Sequence, residues 1–364
     1  MGWYYTVEYN EEAESKVNAG GKAREDICKI LGSLQMNPIN IQLVAGRDAR
    51  SAWGKLAAHR EALSSWLNGV NGLGRGDVLV IQFPVLTHTI YFPKVVTGLH
   101  ERGVKIVLLV HDVYGLRPMM GEKLSAAHKL RIDREESSAI KSADAIIAHN
   151  AKMSAVIAER YGVERSKIVD LGIFDYLIPG YDDAGVDERF DVGLPVVIAG
   201  NLAVKKAAYI NMLSEGVAFN LYGLGYSGRQ DEYIKYFGAF PPDELPSVMS
   251  GSFGLVWDGD TPDTCGGSTG QYLKINNPHK TSLYLASGMP VVVWEEAAIA
   301  DFVTAHRCGV TVKSLEDVAS AANVTADEYA ALRHSAVEVG KLLRDGCFTK
   351  TAVEKAATIV SSAS

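Results

Sequence analysis

Short apolar runs alternate with stretches of helical period along almost the whole chain, and few folds tolerate that alternation. Trp3–Tyr9 is aromatic and β-branched, and Ala23, Ile27, Ile30, Leu31 and Leu34 then recur at helical spacing. Strand-like runs follow at 39–45, 77–84, 105–113, 145–149 and 168–171, separated by helical segments at 52–67, 90–101, 135–142 and 151–161. Strands alternating with helices at this spacing mean βαβ units and a parallel sheet, because a parallel neighbour can be reached only by a crossover. Residues 176–194 break the rhythm with Pro179-Gly180, Asp182-Asp183, Gly185 and Gly193 and no sustained period. A second series then runs through 195–199, 219–222, 253–257 and 291–294, with helices at 207–214, 241–249, 297–306, 315–321 and 326–343 and a helical tail at 349–362. The expectation is an α/β protein of two doubly wound, Rossmann-like domains, 1–180 and 181–348, with the tail helix 349–364 returning to the first.

A chain of 364 residues can build two such cores. Its net charge of -7, with no basic block to offset it, excludes a nucleic-acid binder. Cys28, Cys265, Cys308 and Cys347 show neither CxxC nor Cys/His ligand spacing, which fits reduced thiols and a cytoplasmic protein. Nothing at the start reads as a signal peptide, and no apolar run approaches the ~18 residues of a membrane span.

In doubly wound sheets ligands sit beyond the carboxyl ends of the strands. In the second series those ends carry Gly200-Asn201 followed by Lys205-Lys206, Tyr222-Gly223, Asp258-Gly259-Asp260, and the loop 266–280. Within that loop Asn277 has the chemistry of an N-cap, Pro278 suits the first helical position, and Lys280 falls in the first turn. A helix start with a lysine is suited to an anion, and phosphate is the natural one. In the first series, Asn18, Gly20, Gly21 and Lys22 read as a glycine turn opening a helix, without the GxGxxG of a dinucleotide site. His111-Asp112, at the end of a strand, is a candidate acid/base pair. Asp258-Gly259-Asp260 also has the DxD form that holds a divalent metal in one class of sugar transferases, although DG is equally a turn signal.

The run Leu273-Lys274-Ile275-Asn276-Asn277-Pro278-His279-Lys280, followed by Ser282-Leu283-Tyr284-Leu285-Ala286, resembles the nucleotide-sugar motif of a bacterial family of GT-B glycosyltransferases. That family includes β-1,6-galactofuranosyltransferases and the glucosyltransferase that extends GlcNAc on streptococcal adhesins. Further matching pieces are Gly21-Lys22-Ala23-Arg24, His111-Asp112, Gly172–Leu177, Gly200-Asn201-Leu202 and Gly254–Gly259. The resemblance implies a GT-B fold, two Rossmann-like domains facing a central cleft. It also implies transfer of a hexose, glucose or galactofuranose, from a UDP-sugar to a sugar hydroxyl of a glycan, glycolipid or glycoprotein. No metal or other cofactor is implied. The donor would be held by Asn201, Lys205, Tyr222, Asp258, Asn276, Asn277, His279, Lys280 and Thr281, with Asn18, Gly20, Gly21 and Lys22 on the acceptor-side loop. The helix after Lys280 lacks the glutamate of the large retaining GT-B family, which implies inversion, with Asp112 or His111 as candidate base. Self-association and a peripheral position at the inner face of a membrane follow from the same relatives. The alternatives are a metal-dependent DxD transferase and a non-catalytic sugar-nucleotide-binding subunit.

Overall fold

The structure is a computed structural model that describes residues 2–9, 19–44, 52–181, 186–213 and 215–362. Asn18 lies outside the described residues. The contacts divide the described chain into two compact units, one of residues 2–9, 27–171 and 350–362, the other of residues 19–26 and 172–349.

The first unit is built on β1 (Trp3–Tyr9), β2 (Asn37–Gln42), β3 (Val78–Phe83), β4 (Lys105–Val110), β5 (Ala145–Ala148) and β6 (Ile168–Asp170). They form a wholly parallel sheet in the order β2-β1-β3-β4-β5-β6, with Val78 opposite Lys105 and Tyr5 opposite Val80. Helices α1 (Ala19–Ser33), α2 (Ala52–Gly69), α3 (Phe92–Glu101), α4 (Ala126–Ser142) and α5 (Ala151–Tyr161) make the crossovers. A parallel sheet covered on both faces has no solvent side, so its strands read as unbroken apolar runs rather than alternating ones. All six residues of β3 are buried, as are Ile106–Val110 of β4. Residues 19–26 of α1 group with the second unit, and the remainder with the first.

The second unit repeats the plan with β7 (Val196–Asn201), β8 (Phe219–Leu224), β9 (Ile234–Tyr236), β10 (Gly254–Val256), β11 (Val291–Trp294) and β12 (Gly309–Val312), in the order β12-β11-β10-β7-β8-β9 and again parallel. Its helices are α6 (Val186–Arg189), α7 (Val204–Ala207), α8 (Leu245–Val248), α9 (Gly267–Gln271), α10 (His279–Ala286), α11 (Ile299–His306), α12 (Val318–Ala322) and α13 (Ala326–Arg344). The last helix, α14 (Cys347–Ser362), starts in this unit, and its residues from 350 onward group with the first. The edge strands β9 and β12 are absent from the sequence reading, since three or four residues with partly polar faces carry too little pattern. Among the described residues no helix is long and apolar enough to cross a membrane.

Strand order fixes where a ligand can go. In each sheet the order reverses beside the first strand, between β1 and β3 and between β7 and β10. The crossovers leave opposite ways from these strands, and a crevice opens beyond their carboxyl ends.

Candidate functional site

At the switch point of the second unit, β10 runs into Trp257-Asp258-Gly259 beside the end of β7. Asp258 is buried, and its two oxygens face two ammonium groups, Lys280 Nζ at 2.8 Å and Lys206 Nζ at 3.7 Å. Lys280 Nζ also donates to the Trp257 carbonyl at 3.0 Å. An ammonium has three N–H donors, so two partners leave Lys280 with one N–H to offer. The loop can fold this tightly because residue 259 is glycine. Its φ is +116°, and a Cβ there would stand 2.3 Å from the Gly266 carbonyl oxygen. Gly259 N donates to the Lys206 carbonyl at 2.9 Å, tying the loop to α7.

Helix α10 is pinned across the same switch point by Tyr284, one turn after Lys280. The Tyr284 ring covers Gly254, where a Cβ would lie 2.1 Å from a ring carbon, and its hydroxyl accepts from Ala199 N at 2.7 Å. Lys280 therefore stands on a helix fixed to both strands that border the crevice. The entry to that helix holds buried polar atoms with no protein partner among the described residues: Asn276 Oδ1, His279 Nε2 and Thr281 Oγ1. Most buried polar atoms in folded proteins are satisfied, so three in six residues set this helix entry apart as a candidate binding site. The His279 ring lies 5.0 Å from Tyr176 and 6.2 Å from Phe174, centroid to centroid. Burial of the ring, and then the charge of Lys22, push its pKa down to about 4, so it is neutral at pH 7.

Several expected residues are placed differently. Helix α10 begins at His279 with Pro278 as its cap, one position later than the sequence suggests. Asn277 does not cap it; its side chain donates to the Gly172 carbonyl at 2.6 Å, fastening the helix start to the beginning of the unit. Asn201 accepts from Ala203 N at 3.0 Å and shapes the turn into α7. On that helix Lys205 is exposed and Lys206 faces Asp258, a choice of helix phase that the dilysine alone leaves open. Tyr222 is a core residue: its hydroxyl accepts from Ser250 N at 3.3 Å, and its ring stacks on Phe237 at 4.9 Å. Gly20, Gly21 and Lys22 form the first turn of α1 rather than a loop. Lys22 is buried and spends its donors on Asp26 at 2.7 Å, Asp243 at 2.6 Å and the Leu177 carbonyl at 2.6 Å, all within the second unit. An ammonium so saturated holds structure together instead of offering a bond to a ligand.

In the first unit, His111 Nε2 lies 2.8 Å from Gln82 Oε1. Asp112 accepts from Val113 N at 2.8 Å and pairs with Arg117 at 2.5 Å.

Each unit is thus a parallel six-stranded sheet, and the second has a lysine-lined crevice at its switch point. The comparisons decide the family. The N-terminal domain model of the glucosyltransferase 3-like family matches residues 4–173 and its C-terminal domain model matches 196–356. The chain belongs to the glucosyltransferase 3-like family. The Escherichia coli K12 protein named β-1,6-galactofuranosyltransferase WbbI is 30% identical over 345 residues, 94% of this chain and 95% of that one. Glucosyltransferase 3 of Streptococcus parasanguinis is 27% identical, covering 79% of this chain and 81% of its own. In fold, the UDP-forming α,α-trehalose-phosphate synthase of Burkholderia vietnamiensis superposes with a TM-score of 0.61 at 11% identity, over 98% of this chain and all of that one. This member of the glucosyltransferase 3-like family is thus a glycosyltransferase of GT-B fold, acting between a sugar donor and a glycan acceptor.

Proposed function

We propose that the second unit binds the diphosphate of a UDP-hexose at its switch point, and that the enzyme transfers the hexose to a sugar hydroxyl with inversion and without a metal. The observation that carries this is Lys280, which is locked by Asp258 and the Trp257 carbonyl with one N–H remaining, beside a helix start with buried polar atoms that have no partner among the described residues. Lys280, Lys206 and Asp258 together carry one net positive charge, and α10 adds the partial charge of its N-terminus. Such a site favours the leaving diphosphate more as its charge grows, which is where catalysis by electrostatics acts. The acceptor oxygen bonds to the anomeric carbon as its proton passes to a general base, the bond from that carbon to the diphosphate oxygen breaks, and the electron pair leaves with UDP.

Asp258 faces two ammonium groups, so a divalent cation would have to displace both to use it. That supports the metal-independent reading over the DxD one. Glucose or galactofuranose as the donated sugar rests on the names of the relatives.

The test is turnover of a UDP-hexose panel with glycan acceptors, in buffer with and without EDTA. UDP release that needs the acceptor and ignores EDTA is expected. Lys280→Ala is expected to lower kcat by about 10²-fold or more, the usual cost of losing a charge-stabilising donor, and also to lower the melting temperature, because buried Asp258 loses its nearer ammonium, so turnover is read well below the transition. Binding of UDP-hexose without any turnover would leave only a binding subunit, and near-normal turnover by Lys280→Ala would misplace the diphosphate.

A further inference from the structure

Sequence chemistry offers Asp258 two roles, a donor contact or a metal ligand, and its surroundings point to a third. Both of its oxygens face ammonium groups, and these come from different elements, Lys206 from α7 and Lys280 from α10. The Asp258 side chain is 7% exposed, against 12% for Lys280 and 41% for Lys206, so the shared counter-ion is the innermost of the three.

The backbone that carries this carboxylate is held on both flanks. On one side Trp257 is fully buried and donates from Nε1 to the Thr261 carbonyl at 3.2 Å. On the other, Gly259 forms a parallel bridge with Ala207, and its carbonyl accepts from Tyr209 N at 3.5 Å. Helix α9 packs on Asp258 itself, since a Cβ at Gly270 would stand 2.7 Å from the Asp258 carbonyl oxygen. A lysine, by contrast, carries a point charge on a flexible stem. The rigid partner therefore decides where the flexible ones stand. Without its charge, two ammonium groups would face one crevice uncompensated, and like charges repel.

We propose that Asp258 is a positioning residue of the transfer: it contacts neither donor nor metal and acts through Lys280 and Lys206, holding their ammonium groups where the diphosphate gains charge. The inference rests on the diphosphate reading above. It has a consequence that separates position from charge. A fixed carboxylate beside a diphosphate repels it, so Asp258 weakens nucleotide binding while it organises the groups that act as the bond to UDP breaks. Only interactions stronger in the transition state than in the ground state raise kcat.

The decisive variant is Asp258→Asn, which keeps an oxygen for Lys280 and removes the negative charge. Titration is expected to show UDP bound about tenfold more tightly than by wild type, because the lost repulsion acts over a few ångströms near the protein surface. Turnover of the UDP-hexose, read well below the melting transition, is expected to fall about tenfold, since a neutral acceptor holds an ammonium roughly half as strongly as a charged one. Asp258→Ala removes the oxygen as well and is expected to lower kcat further. A residue that only supports the fold would lose UDP affinity and kcat together, and a donor contact would lose UDP-hexose affinity in Asp258→Asn. Either result overturns the assignment, as does wild-type turnover that EDTA abolishes. UDP binding by wild type with both constants of Asp258→Asn within about threefold of it overturns the positioning role alone. No UDP binding by wild type overturns the diphosphate reading beneath it as well.

Discussion

Asp133-Arg134-Glu135-Glu136 puts four consecutive charged residues on α4, and the structure turns the run half inward. Asp133 and Arg134 are exposed, and the two glutamates are buried. Glu135 accepts from Thr89 N at 2.7 Å and lies 2.6 Å from His88 Nδ1. Glu136 Oε1 accepts from Gly115 N at 2.9 Å and from the Tyr161 hydroxyl, while Oε2 is buried without a partner among the described residues. Burial disfavours the charged form and raises the Glu136 pKa from 4.5 to about 7, against the opposing pull of its hydrogen bonds. The folded state thus holds this proton to higher pH than the unfolded chain does. The associated stability is complete below about pH 4.5 and is lost as pH rises towards 7, an amount of about 3 kcal/mol at 1.36 kcal/mol per unit. Glu136→Gln cannot ionise, so its stability relative to wild type is expected to improve by about that amount between pH 4.5 and pH 8 in urea denaturation. The comparison must be a difference between proteins, because His149, buried and with its pKa pushed down to about 4, gives the opposite slope in both. An unchanged difference would mean that Glu136 is not titrating in the fold. The same residues show why the contact between His88 and Glu135 was illegible in the sequence. His88 and Glu135 are 47 positions apart, and only the fold decides which of four consecutive charged residues faces inward.

Helix α10 shows what was legible at the level of elements. Its existence, its glycine stop at Gly288 and the strand after it follow from local chemistry, and the structure has them. The position of its cap does not, because Asn277 had a better use at the Gly172 carbonyl than at the helix N-terminus. Nor could periodicity show what holds the helix in place. Besides Tyr284 over Gly254, α10 is approached by α13 at Gly340, where a Cβ would lie 2.4 Å from the Leu285 carbonyl oxygen. Two effects compete at this position. In an isolated helix glycine costs about 1 kcal/mol relative to alanine, so Gly340→Ala would stabilise. Against a backbone oxygen at that distance the added methyl must force the helices apart, which costs about 1–3 kcal/mol. The steric term wins, and Gly340→Ala is expected to lower the melting temperature; a gain would mean the helices do not pack this closely. Tyr284→Phe is expected to cost about 1–3 kcal/mol by leaving Ala199 N buried without its acceptor, and to weaken UDP binding through the displaced Lys280. Unaltered stability and UDP affinity in that variant would show that Tyr284 does not position the site.

At the scale of the molecule, the described residues pass directly from one unit to the other at 26/27, 171/172 and 349/350. The linker-like stretch of 176–194 lies just past the second of these. The first is invisible in sequence because it falls inside a continuous helix, Ala19–Ser33, whose apolar spacing runs on without a break. The third is marked by Asp175, buried and accepting from Phe348 N at 3.2 Å and Thr349 N at 2.7 Å, so the start of α14 belongs to the second unit. Burial raises the pKa of this carboxyl to about 6, with those amides opposing the shift. Because residues 19–26 and all of the candidate diphosphate site group with the second unit, donor binding has a definite footprint. A ligand that binds only the folded state stabilises it by about 2.7 kcal/mol at a hundred times its Kd, and the protection is greatest where local opening would break the site. Hydrogen exchange with saturating UDP is therefore expected to slow in peptides spanning 204–212, 256–268 and 276–286. Peptides covering β3, β4 and α4 in the first unit are expected to change far less. Protection concentrated on 83–92 and 111–136 instead would place the nucleotide at the first switch point, leaving Lys280 without its diphosphate.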